Sequence, residues 1–147
     1  MTALRAADLA YNQALGIRNA PPDAAHLLEL PFGPLVQNHL KTVHAAAQFS
    51  LAEAASAECL QRNYGAALGD VFAVVRGVEV KYRKPAAGEL LAYGTPDEYT
   101  RTQLLAEMTA RGRSKAVILI DLKDRSGTLT FHGQFEWFIS RVPPPQL

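Results

Sequence analysis

Cysteine is nearly absent from this chain of 147 residues, where Cys59 stands alone. One cysteine excludes an internal disulfide framework, and without a second there is no CxxC or similar metal-ligand spacing. That usage suits a reducing cytoplasm. Charge of one sign is also lacking: 15 basic and 14 acidic residues leave a formal +1, which gives no support to a nucleic-acid partner or an acidic tail. No segment approaches the ~18 apolar residues of a membrane span. The opening MTALRAADLAYNQALGI alternates small, charged and apolar residues rather than following a basic start with an unbroken apolar stretch, so no secretory signal is expected. The expectation is a soluble, cytoplasmic protein with neither nucleic acid nor membrane as partner.

What is present is a chain of one-domain size in which 48% of residues are apolar, enough for a core without metal or disulfide. One domain over 1–147 is expected, with a helical N-terminal segment over 1–25 and a Pro-rich tail over 143–147. Leu4, Ala7, Tyr11 and Leu15 predict a helix from about Thr2 to Gly16, lying over the core. His26 to Pro31 reads as a short strand. A long alanine-rich helix runs from His44 to about Tyr64, and its many small residues suit a helix wrapped by a sheet. Val71–Arg83 and Glu89–Gly94 read as strands. Thr95-Pro96-Asp97-Glu98 reads as a helix opening, with Thr95 as cap and Pro96 in the first helical position, leading to Arg111 and a stop at Gly112. Lys115–Lys123 and Thr128–Val142 close the chain as strands about a turn at 124–127. The order predicts an α+β fold with an antiparallel sheet of four or five strands around the long helix.

Glu53 is the informative residue of that helix. At about 100° per residue it falls beside Phe49, Leu60, Ala46 and Ala57, with Gln48, Glu58, Arg62 and Gln61 mostly on the remaining circumference. A carboxylate among apolar residues needs partners or a task. His44 at the helix start and Asn38 before it are candidate colleagues. His44 and Glu53 are separated by about 13 Å along the axis and half a turn in phase, so a shared site requires a second copy of the chain about a twofold axis.

The segment from Asn38 through His44 to Glu53 resembles the motif of hotdog-fold acyl-CoA thioesterases. That family commonly has Asn or Gln six residues before a His-Gly-Gly helix start and an acid nine residues after the His, and Asn38, His44 and Glu53 match all three positions. Val80-Lys-Tyr-Arg-Lys-Pro to Glu89 is similar to the family's strand with an aromatic-Arg-Pro stretch, and Gly112-Arg113 precedes a strand as it often does there. The likeness covers residues 26 to 141. It implies a hotdog fold, a curved antiparallel sheet wrapped round a long central helix, in homodimers or dimers of dimers with sites between subunits. It further implies that the Ala45 N–H, helped by Asn38, polarises a thioester carbonyl while His44 shapes that end. Glu53 of the other copy acts as general base or as nucleophile. The substrate implied is an acyl-CoA with an aromatic or fatty acyl group, and coenzyme A enters only as part of it, with no separate cofactor and no metal.

This chain has His44-Ala45-Ala46 where the family has His-Gly-Gly, a departure that favours a rival reading as a catalytically silent acyl-CoA-binding protein. A hotdog dehydratase or hydratase is a further rival, set apart by its different His-to-acid spacing. Arg83, Lys84 and Arg113, with Lys81, Arg111 and Lys115, are the cations available to coenzyme A phosphates, against the alternative of a solvated basic face. His26, His39 and His132 lack a ligand-like arrangement. Cys59 reads as a core filler, and Tyr82, Phe131, Phe135 and Trp137 as sheet core.

Overall fold

The computed structural model describes residues 5–143. Six antiparallel strands form one curved sheet: β1 (Arg18–Asn19), β2 (Leu28–Leu30), β3 (Phe72–Tyr82), β4 (Leu90–Pro96), β5 (Arg113–Lys123) and β6 (Leu129–Ser140), in the order β1-β2-β4-β5-β6-β3. The helices are α1 (Ala10–Ala14), α2 (Ala45–Leu68) and α3 (Glu98–Arg111). The sheet wraps α2, which is the α+β hotdog arrangement expected from the sequence. None of the described helices is long and apolar enough to cross a membrane.

Alternation decides which strand face meets α2. Ala116, Ile118, Ile120 and Leu122 of β5 and Phe131, Phe135, Trp137 and Ile139 of β6 point inward and are buried, each large apolar side chain contributing roughly 1.5–3 kcal/mol relative to exposure. The small residues of α2 allow close approach, with Ala52, Ala54, Ala55 and Cys59 all buried. At Gly94 a Cβ would sit 2.9 Å from the side chains of both Ile120 and Leu27 and 3.2 Å from Cys59 Cβ, so the sheet bears directly on the helix there. Cys59 is core, as read, and burial pushes its thiol up to about 11, which leaves it inert.

Several boundaries differ from the sequence reading. The sheet has six strands because β1 adds a two-residue edge that no alternation pattern marks. The expected N-terminal helix is a 3-10 turn at Ala6–Asp8 followed by the short α1; Thr2 and Leu4 lie outside the described residues, as do 144–147 of the tail. Helix α2 runs four residues past Tyr64, to Leu68. Thr95 does not cap a helix: β4 continues through Pro96, which pairs with Ile118, and Asp97 is the cap, its Oδ1 accepting from Thr100 N–H at 2.8 Å. Beyond β4 the freed edge of β5 is taken by α3, since Val117 N–H donates to Thr100 Oγ1 at 2.7 Å. Gly112 ends α3 at φ 70, a left-handed cap that glycine adopts without strain.

At the other end of the sheet β3 pairs only with β6, and no described strand takes its second edge. Val75, Val78 and Val80 face inward but remain half-buried, and Tyr82 is 48% exposed rather than core. This open side of the fold exposes a stripe of α2.

Candidate active site

The start of α2 is fixed from three sides. Val43 N–H donates to Ala86 carbonyl at 2.7 Å and His44 N–H to Val36 carbonyl at 2.7 Å. His44 is the cap, its Nδ1 accepting from Ala46 N–H at 3.0 Å, which in the neutral ring places the proton on Nε2. The Tyr82 hydroxyl, on the open strand, donates to Ala45 carbonyl at 3.1 Å. Among the described residues no acceptor takes the Ala45 N–H, and Ala45 and Ala46 are exposed. The positive end of a 24-residue helix therefore presents a free donor on the exposed Ala45; the Ala47 N–H also has no acceptor, but that residue is buried.

Asn38 is engaged in the turn before the helix. Its Oδ1 accepts from Leu40 N–H at 2.9 Å and Thr42 N–H at 3.1 Å, and its Nδ2 donates to Thr42 Oγ1 at 2.8 Å. The side chain shapes the turn before the helix, a turn tight enough to hold Lys41 at φ 62. One amide hydrogen is what remains of it for a ligand.

Glu53 lies two turns along, on a stripe with Ala45, Phe49 and Ala57 at four-residue steps. It is half-buried, and among the described residues nothing hydrogen-bonds or pairs with its carboxylate. Burial pushes that carboxyl above the ordinary 4.5, with no opposing cause. Its backbone is held by Ser56, whose hydroxyl donates to Glu53 carbonyl at 2.7 Å and accepts from Trp137 Nε1 at 3.0 Å. Aromatic rings pack beside the stripe: Phe49 against Phe135 at 5.7 Å and Tyr82 against Phe131 at 5.3 Å. Gly133 lets the two β6 rings close in, since a Cβ there would lie 2.8 Å from Phe135 and 2.9 Å from Phe131.

Two of the polar residues placed on the remaining circumference of α2 are buried. Gln48 accepts from Thr130 Oγ1 at 3.1 Å. Glu58 is salt-bridged to Arg5 and Arg62 and accepts from Ala6 N–H at 3.4 Å. Burial alone pushes the Glu58 carboxyl up, but the hydrogen bonds and charges of the two arginines prevail and hold it below the ordinary value.

The expected rim is divided. Arg83 and Lys84 are exposed just past β3, on the loop that Val43 joins to the helix start, and no described carboxylate pairs with them. Lys41, which sequence reasoning missed, is on the adjoining loop. Arg113 is at the far end of the sheet: it registers with Ser140, which registers with Phe72 at the start of β3, roughly 33 Å of strand from Tyr82. Arg113 therefore cannot join Arg83 and Lys84 on one rim of one chain. Arg111 is paired with Glu107 and Lys115 stands 5.0 Å over Tyr99 at that far end. A groove of about 490 Å³ on the outer sheet face is lined by Lys81, Arg83, Glu79, His132 and Gln134, and His132 is paired with Asp121. Among the described residues no three His, Cys, Asp or Glu are placed to hold a metal.

The sequence model of one family, described as Domain of unknown function (DUF4442), matches residues 14–139. No curated protein matches the chain. Among solved structures, a Pseudomonas aeruginosa protein of unknown function, described as a probable thioesterase, is 21% identical with a TM-score of 0.76, covering 92% of this chain and 90% of its own. A Haemophilus influenzae thioesterase is 16% identical with a TM-score of 0.67, covering 90% of this chain and 84% of its own. A Bacillus halodurans protein solved with CoA is 22% identical with a TM-score of 0.65, covering 85% of this chain and 72% of its own. At these identities the likeness shows the fold.

Proposed function

The chain belongs to the DUF4442 family, and from that premise we propose that it hydrolyses an acyl-CoA thioester at a site shared by two copies. The observation that carries this reading is Glu53, a half-buried carboxylate without a partner among the described residues, whose pKa is raised by desolvation alone. The two fully buried carboxylates among the described residues, Glu29 and Glu58, are both paired. The free Ala45 N–H supplies the second component, a donor at the positive end of a helix where a carbonyl oxygen gains charge during attack.

One chain holds these two groups eight residues apart, roughly 12 Å along the axis. Two antiparallel copies of α2 bring Ala45 of each beside Glu53 of the other, and the twofold axis then passes at the midpoint of the stripe, Phe49. Its ring is half-buried, as suits a residue awaiting its own copy. The unpaired edge of β3 lies on the same side, so one homodimer covers both the stripe and the edge.

In the reaction a water oxygen bonds the thioester carbonyl carbon and Glu53 takes its proton. The carbonyl oxygen leans on Ala45 N–H, the C–S bond breaks, and the thiolate recovers the proton to leave as coenzyme A thiol beside the free acid. In the alternative route Glu53 bonds the carbonyl carbon, expels the thiolate and gives an anhydride that water opens. Arg83 and Lys84, with Lys41 nearby, hold the phosphates at the helix start, so no cofactor beyond the substrate's own coenzyme A is needed. The CoA found in the Bacillus halodurans protein supports the ligand class.

A silent acyl-CoA-binding protein is the second reading, favoured by the methyl groups of Ala45 and Ala46 where glycine would let a ligand closer. Complementation separates the two. Ala45→Pro removes only the donor in question, because proline suits the first helical position and this N–H has no acceptor to lose. Ala45→Pro and Glu53→Gln homodimers are expected to release almost no thiol from a panel of acyl-CoAs. Mixed by refolding together, they regain about a quarter of the wild-type rate, since half the dimers carry one intact site of two. No thiol release by wild type on any acyl-CoA overturns hydrolysis, and failure of the mixture to recover overturns the shared site.

A further inference from the structure

A cavity of about 810 Å³ opens one turn past Glu53, between the second half of α2, the segment Arg5–Leu9 and the first residues of β3. Its walls are largely apolar: Ala57, Leu60, Leu68, Phe72 and Trp137 line it. Of the charges that reach it, Glu58 is held by Arg5 and Arg62, and the exposed Asp70 stands past the far end of α2. An apolar guest beside Ala57, Leu60 and Trp137 therefore strips no unpaired charge of its water.

Gly65 supports the same conclusion. Glycine inside a helix costs roughly 0.5–1 kcal/mol against alanine. Here no left-handed φ requires it, and a Cβ would meet only the movable end of Gln61. Neither backbone nor core packing accounts for the residue; without a Cβ, the cavity wall there is covered by the movable end of Gln61. The cavity is also tied to the reacting acid: Trp137 in its wall donates to Ser56, which in turn donates to Glu53 carbonyl.

We propose that this cavity receives the acyl chain, which makes the substrate class an unbranched medium- to long-chain fatty acyl thioester rather than a small aromatic one. The proposal rests on the hydrolase reading for the position of the carbonyl at Glu53. Along α2, Glu53 to Ala57 spans about 6 Å, Glu53 to Gly65 about 18 Å, and Glu53 to Gly69 at the far end about 24 Å. At roughly 1.3 Å per methylene for an extended chain of ~1.5 Å bonds, these depths correspond to about 5, 14 and 18 carbons.

The experiment uses S-alkyl-CoA thioethers of 4 to 18 carbons, which bind but cannot be hydrolysed, titrated by calorimetry into wild type, Ala57→Leu and Gly65→Leu. Each methylene that enters the wild-type cavity tightens binding by up to about fourfold. The gain is expected to stop near 5 carbons in Ala57→Leu and near 14 in Gly65→Leu, while wild type gains further. Leucine favours the helix at position 65, and melting curves of both variants check the fold. Affinity indifferent to chain length, or the same cut-off in both variants, overturns the proposal even if short thioesters are still hydrolysed in a Glu53-dependent way. Graded cut-offs without any hydrolysis of fatty acyl-CoA by wild type uphold the cavity and instead overturn the hydrolase reading.

Discussion

Glu53 and Glu58 are five residues apart on one helix, and the surroundings of the two carboxylates are opposite. Glu58 is 1% exposed, is gripped by Arg5 and Arg62, and is held below its ordinary pKa. Glu53 is half-buried, faces the side where no described strand flanks β3, has no partner among the described residues, and is pushed above its ordinary pKa. Depth alone does not separate a structural acid from a reactive one, since the deeper of the two is the better satisfied. A carboxylate desolvated without compensation is a cost to the fold that a reaction can use.

The sharpest way to break the comparison is to neutralise each acid in turn. Glu53→Gln is expected to lower kcat for acyl-CoA hydrolysis by at least ~100-fold with the fold intact, because loss of a general base typically costs that much. Glu58→Gln is expected to keep kcat within a few-fold of wild type at temperatures where it is folded. Equal rates for wild type and Glu53→Gln would end the catalytic assignment, and a comparable loss in both variants would dissolve the contrast.

In stability the order reverses. Glu58→Gln leaves two arginines without their acid and is expected to cost about 3 kcal/mol in urea unfolding, at the lower end for half of a buried pair because both arginines reach solvent. Glu53→Gln removes a charge the fold disfavours and is expected to leave stability at neutral pH unchanged or raised.

Acid sharpens the same contrast. The lowered pKa of Glu58 gives stability that is present above its unfolded value and is lost as pH falls through the folded one, so the gap between wild type and Glu58→Gln narrows in acid. The raised pKa of Glu53 does the reverse: the folded state holds the proton more tightly, and wild type loses stability relative to Glu53→Gln as pH rises from about 4.5 through the folded value. Urea midpoints of the three proteins, taken from well below pH 4.5 up to neutral pH, read both signs. The acid limb of kcat/KM is expected above 4.5, because the base must be ionised.

The contrast was only half legible in the sequence. Small apolar neighbours at helical spacing singled out Glu53, and strand alternation gave β3, β5 and β6 nearly to their ends. The burial of Gln48 and Glu58 was not legible because their partners are remote: Thr130 is 82 residues from Gln48 and Arg5 is 53 from Glu58. No local pattern announces such pairs. Pro96 was read as a helix start for a similar reason. It ends β4 instead, beyond the stretch Leu90–Ala92 that β2 pairs with, where a missing N–H leaves no ladder bond unmade. Asn38 matched by spacing, yet its amide is mostly consumed by a turn whose contacts all fall within four residues.

Tyr82 gives the smallest and most specific test, because it links the open strand to the donor end of the helix. Read as sheet core, it is half exposed, and its hydroxyl holds Ala45 carbonyl in the first turn while its ring rests on Phe131. Tyr82→Phe keeps the ring contact and deletes one hydrogen bond worth about 0.5–1.5 kcal/mol. If that bond aims the Ala45 N–H, kcat is expected to fall about 2- to 10-fold with KM little changed and with the Glu53-dependent acid limb unmoved. A fall in melting temperature without a change in kcat would make Tyr82 only a clamp on the helix start. The free donor at Ala45 would then stand without help from the edge strand, and the contrast with Glu58 would rest on Glu53 alone.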